Sequence, residues 1–128
     1  MQGKRLERVN QLIKEEISTL LQRELKDPRL GFLTVTEVDT TTDLKQAKVY
    51  VSVLGNDEQW VKSFKALESA RGFVWAWLRR HLDLRVTPEL SFRPDRSMEH
   101  AARMQALLAG LRPAGPAEDR ERRGPPDD

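Results

Sequence analysis

Between Trp60 and Arg96 the sequence reads as a helix, a small-residue break, a second helix and a strand, an order that leaves few folds open. Trp60, Val61, Phe64 and Leu67 fall at helical spacing and form one apolar stripe. Phe73, Val74, Trp77, Leu78 and Leu82 form another. The break is Ala70-Arg71-Gly72. A straight continuation of the first stripe lands on Arg71, and arginine is rarely buried unpaired. A kink at Ala70 and Gly72 is therefore expected, because glycine tolerates backbone geometry that other residues resist. One long helix with an incidental glycine is the alternative. In the strand, Leu84, Val86, Leu90 and Phe92 alternate with Arg85, Thr87, Glu89 and Ser91. Pro88 cannot donate to a ladder, which places this strand at an edge or a bulge.

Upstream, residues 4 to 26 form an amphipathic helix pattern through Leu6, Val9, Leu12, Ile13, Ile17, Leu20, Leu21 and Leu25. Asp27-Pro28 closes it, since proline disfavours helix in the residue before it. Phe32 to Asp39 reads as a strand with Val35, Val38 and the β-favouring Thr34 and Thr36. Gln46 to Leu54 is the clearest strand: Ala47, Val49, Val51 and Val53 alternate with Lys48, Tyr50 and Ser52. The short connection makes these two an antiparallel pair. Asn56 or Asp57 caps the next helix. The third strand then runs parallel to one member of the pair, so a mixed three-stranded sheet is expected, with the strand order open. Ser97 is the expected cap of a last helix reaching about Gly110. Residues 111–128 are dominated by Pro, Gly and charge and read as a disordered tail, leaving 1–110 as one domain.

Hydrophobic residues make up 38% of the 128 positions, enough for one modest core. No run approaches the roughly 18 apolar residues of a membrane helix. The absence of cysteine excludes disulfides, thiolate metal sites and a cysteine nucleophile. It is compatible with a reducing compartment. His81 and His100 lack metal-binding spacing, and there is no Gly-rich phosphate loop and no Gly-x-Ser-x-Gly elbow. No enzyme activity, metal or cofactor is expected. Net charge is only +2, but residues 71 to 96 hold Arg71, Arg79, Arg80, Arg85, Arg93 and Arg96 against Asp83, Glu89 and Asp95. Such a cluster is the footprint of a nucleic-acid partner. Arg79 also lies four residues after Trp75, the spacing of a cation–π pair. An ordinary solvated face, with Arg71 paired to Glu68 and Arg80 to Asp83, is the alternative.

The element order resembles the second type of K-homology domain, an RNA-binding fold. Those domains usually clamp RNA with a Gly-x-x-Gly loop between paired helices, and this sequence has none. At the corresponding junction stands Ala70-Arg71-Gly72. Further motifs follow one another along the chain: Arg5, Lys26-Asp27-Pro28-Arg29-Leu30-Gly31, Val35-Thr36, Asp43-Leu44, Ala47-Lys48-Val49-Tyr50-Val51-Ser52-Val53, Pro88-Glu89-Leu90-Ser91-Phe92 and Asp95-Arg96-Ser97. With these, residues 4 to 110 resemble the bacterial ribosome-binding factor A family. The resemblance implies an α+β, K-homology type II-like domain of order α-β-β-α-α(kinked)-β plus a C-terminal helix. It also implies a cytoplasmic, monomeric assembly factor that binds the free small (30S) ribosomal subunit and its 16S rRNA. Such factors support late maturation and 5′-end processing of that RNA, especially in the cold. No membrane or small-molecule substrate is implied.

The residues themselves say where RNA would be met. Arg71, Arg79 and Arg80 on the helix pair and Arg85 on the third strand suit backbone phosphates. Gly72 lets a nucleic-acid backbone approach closely. Lys4, Arg5 and Arg8, with Lys45 and Lys48, are secondary candidates. A protein-interaction module using the sheet face around Tyr50 and the last helix is a second reading. An enzyme acting on RNA is a third, for which no turnover is expected.

Overall fold

The computed structural model describes residues 2–24 and 28–110 of the chain. Strict alternation turns Ala47, Val49, Val51 and Val53 of β2 (Gln46–Val53) inward and leaves Lys48 exposed on the other side. β1 (Leu33–Thr40) pairs antiparallel with β2, and β3 (Glu89–Pro94) pairs parallel with it, giving a mixed sheet of order β1-β2-β3. Both strand neighbours of β2 are thus edges. In β1 a bulge between Val35 and Glu37 shifts the alternation by one residue. Without it, Val35 and Val38 would face opposite sides. With it, Val35, Val38 and Thr40 are all buried, opposite Val51, Val49 and Ala47.

Two helices cover the apolar face: α1 (Gln2–Arg23) and α2 (Asp57–His81). α1 contributes Ile13, Ile17, Leu20 and Leu21. α2 starts at a capping box, in which the Asn56 side chain accepts from the Gln59 amide and the Gln59 side chain accepts from the Asn56 amide. Gly55, at φ +154°, precedes it, and a Cβ there would run into the Gln59 side chain.

The expected pair of helices is one uninterrupted helix of 25 residues. Its buried stripe runs Trp60, Ser63, Leu67, Val74 and Leu78, with half-buried Ala70 at the step where apolar spacing alone puts Arg71. Arg71 lies outside that stripe, paired with Glu68 at 3.0 Å, so nothing forces the helix to break. Val61 is 55% exposed. Ser63 joins the stripe because its Oγ lies 3.0 Å from the Leu30 carbonyl and 3.2 Å from that of Arg29, donating to them. This ties the Pro28–Gly31 turn to α2, with Leu30 in the core.

β3 begins at Glu89, so Leu84–Thr87 and Arg85 belong to the loop after α2 and not to a strand. Pro88 has no N–H to offer the ladder, and pairing starts immediately after it. α1 ends at Arg23, with Glu24 in a turn. Leu25 and Lys26, the last positions of the expected helix, lie outside the described residues.

The described residues fall into two compact units, one ending at Asp95 and the other starting at Arg96. The second contains α3 (Ser97–Leu108). Its cap is Arg96, not Ser97, and the Arg96 guanidinium donates to Glu99 across the first turn at 3.2 Å. The expected tail, 111–128, lies outside the described residues.

Candidate nucleic-acid interface

The last turn of α2 carries Arg79, Arg80 and His81, and the two arginine charges suit the negative end of a helix. Each arginine rests on an aromatic ring one turn or less away. The Arg79 guanidinium carbon is 5.5 Å from the Trp75 ring centre, and that of Arg80 is 6.0 Å from Trp77. Hydrogen bonds fix both indoles. Trp75 Nε1 donates to the Thr87 carbonyl at 3.2 Å, and Trp77 Nε1 donates to Glu16 Oε2 at 2.9 Å. The rings therefore hold the guanidinium groups at defined places on the surface. Among the described residues neither Arg79 nor Arg80 has an ion-pair partner, so the alternative pairing of Arg80 with Asp83 does not form.

Three hydrogen bonds bring other basic residues to the same end of the first unit. The Thr40 amide donates to Asn10 Oδ1 at 3.0 Å, which sets the N-terminal half of α1 beside the β1–β2 turn. The Glu89 amide donates to the Lys45 carbonyl at 2.9 Å, which sets that turn beside the start of β3. The Trp75–Thr87 bond brings in the end of α2. Lys4, Arg5 and Arg8 at the start of α1, Lys45 in the turn, Arg79 and Arg80 on α2, and Arg85 in the loop thus share one end, all exposed. The first turn of α1 holds no acidic residue, so its basic charge opposes the helix dipole. That arrangement gains nothing for the helix and suits an anionic partner.

The remaining candidates are placed differently. Arg71 and Gly72 sit nearer the middle of α2, with Arg71 held by Glu68. Lys48 points from the opposite face of the sheet, across from Asp39, and does not join the cluster. Sequence reasoning misses the aromatic partner of Arg80. Its signal is the three-residue spacing Trp77–Arg80, the companion of the four-residue spacing that flags Trp75 and Arg79.

The turn that presents Lys45 is built by Asp43, whose Oδ1 accepts from the Thr41 hydroxyl at 2.7 Å and from the Lys45 amide at 3.1 Å. The hydroxyl of Thr41, then the Lys45 amide, stabilise the charged carboxylate and hold its pKa below the usual aspartate value. A lowered folded-state pKa means that these bonds stabilise the turn above the unfolded pKa. That contribution is lost as pH falls through the folded one. An NMR titration should show the Lys45 amide shifting at a pH below the ordinary aspartate midpoint, and Asp43→Asn should abolish that shift.

Among the described residues no group of acidic or histidine side chains is arranged to hold a metal. No described helix is long and apolar enough to cross a membrane.

Residues 5–108 match the family model for ribosome-binding factor A. Ribosome-binding factor A of Carboxydothermus hydrogenoformans is 49% identical over 106 residues, covering 83% of this chain and 85% of that protein. The chain belongs to the ribosome-binding factor A family. The crystal structure of the family member from Thermus thermophilus superposes with a TM-score of 0.63 at 30% identity, covering 70% of this chain and 94% of that one. A homology model of the Thermus thermophilus factor, fitted into a cryo-EM map of a 30S complex, gives a TM-score of 0.57 at 32% identity. It covers 68% of this chain and 91% of that one.

Proposed function

We propose that this chain is a cytoplasmic assembly factor that binds the free 30S subunit through its 16S rRNA and supports late maturation of that RNA, including its 5′ end, above all in the cold. The observation that carries the RNA contact is the gathering of ring-supported arginines, without ion-pair partners among the described residues, with the start of α1 and the Lys45 turn at one end of the fold. Phosphates are the natural target of such charge, which positions RNA without reading its sequence. The factor works by binding energy, as a monomer and with no catalytic residue. The K-homology-like element order and the 30S complex of the Thermus relative support this reading.

Cells lacking the chain should accumulate small-subunit RNA with extended 5′ ends at low temperature. The wild-type chain should restore processing, and the Arg79→Glu/Arg80→Glu variant should not. Normal 5′ ends in the deleted strain would contradict the proposal.

Gly72 adds a more local test. It stands inside α2, and a Cβ there meets nothing within 4 Å. Gly72→Ala should therefore raise folding stability by about 1 kcal/mol in thermal melts. If RNA backbone passes over this point, the same variant should bind small subunits less tightly. A variant that is both more stable and equally tight would remove Gly72 from the interface.

A further inference from the structure

Trp77 and His81 make a surface that phosphate contacts leave unused. Their rings are stacked, with centroids 3.9 Å apart and planes 15° from parallel. Phe73, one turn earlier and 46% exposed, lies 6.4 Å from Trp77 at a tilt of 42°. The three rings form a ladder along α2 at four-residue steps, and His81, its last rung, is exposed. The rungs are held in place. Trp77 Nε1 is bound to Glu16, and His81 Nδ1 lies 3.0 Å from the Trp77 carbonyl, the geometry of an Nδ1–H donor.

Half-buried Trp77 packs against the core, but exposed His81 adds nothing to it. Fixing a solvent-exposed ring costs rotamer entropy. What the arrangement offers is a flat aromatic face beside Arg80, whose guanidinium carbon lies 6.0 Å from the Trp77 ring and which is cationic and without an ion-pair partner among the described residues. A cationic rim favours a polyanion over an apolar protein surface. A flat face selects within polyanions. Duplex bases are stacked on one another and show only their edges, whereas an unpaired base has a free face.

We propose that the outer face of His81 extends the Phe73–Trp77–His81 ladder by one unpaired RNA base, with Arg80 on an adjoining phosphate. This rests on the RNA-binding reading and adds to it a preference for single-stranded RNA.

The test measures binding of the wild type, His81→Ala and His81→Phe to a short oligoadenylate, to an abasic strand of equal length and to free small subunits. His81 is exposed, so neither change threatens the fold. The alanine variant should bind oligoadenylate and small subunits roughly tenfold more weakly, the phenylalanine variant should bind like the wild type, and the abasic strand should not distinguish the three. Equal binding by all three to oligoadenylate or to subunits would overturn the base stack. If Arg79→Glu/Arg80→Glu still abolished binding, the RNA reading would stand without it. A wild type that binds none of the three targets would sink both. Binding that survives nuclease treatment of the target would indicate a protein partner and overturn the proposal.

Discussion

Reversing Arg79 and Arg80 together to glutamate is expected to weaken binding to small subunits on the order of 100-fold at moderate salt and to flatten its salt dependence. Each lost phosphate contact removes a share of counterion release, so two contacts lower the slope of log affinity against log salt by roughly 1.5 to 2. The fold should survive. Both side chains are exposed, and the rings beneath them keep their own bonds to Thr87 and Glu16. Circular dichroism checks this in the same preparation. Unchanged affinity with intact helix content would remove this end of α2 from the interface. A loss of affinity with an unchanged slope would mean that the arginines act on something other than phosphate. Lys48→Glu is the matched control, since Lys48 faces away from the cluster and should alter binding little.

Leu67→Ala is expected to produce the largest loss of stability among the substitutions considered. Leu67 is fully buried at the centre of the α2 stripe, where truncation leaves a cavity between helix and sheet. Such changes cost about 2–5 kcal/mol. In a domain of this size that is a fall in melting temperature on the order of 10–20 °C. Val61→Ala, six residues earlier on the same helix, should cost no more than about 0.5 kcal/mol because Val61 faces solvent. Similar losses at the two positions in thermal melts would contradict the observed orientation of α2.

That contrast shows where sequence and structure part. Hydrophobic spacing adds solvent-facing Val61 to the stripe of Trp60, Phe64 and Leu67, whose next step lands on Arg71, which suggests a broken helix. The actual stripe passes through Ser63 and Ala70, two residues that spacing rules pass over. Ser63 is buried because carbonyls of the Pro28–Gly31 turn accept its hydroxyl hydrogen, a tertiary bond between distant parts of the chain. β2 is legible almost residue for residue, because its alternation is uninterrupted and its face is buried. β1 is legible as a strand, but its phase is not. The bulge at Thr36 is what puts Val35 and Val38 on one side. The third strand starts too early when read from sequence because alternation continues through Leu84 and Val86, while pairing waits until Pro88 is passed.

The candidate site is legible as a list of basic residues and not as a place. Charge counting finds Arg79, Arg80, Arg85, Lys45 and the start of α1. Only the bonds Thr40–Asn10, Glu89–Lys45 and Trp75–Thr87 show that these residues share one end. The same counting includes Lys48, which alternation sends to the other face, and Arg71, which Glu68 holds.

The most direct test is co-sedimentation of the purified chain with small subunits, large subunits and whole ribosomes across a salt series. Binding to the free small subunit is expected, falling steeply as salt rises, with little on large subunits or whole ribosomes. Binding to none of them, or binding to small subunits that salt leaves unchanged, would contradict it.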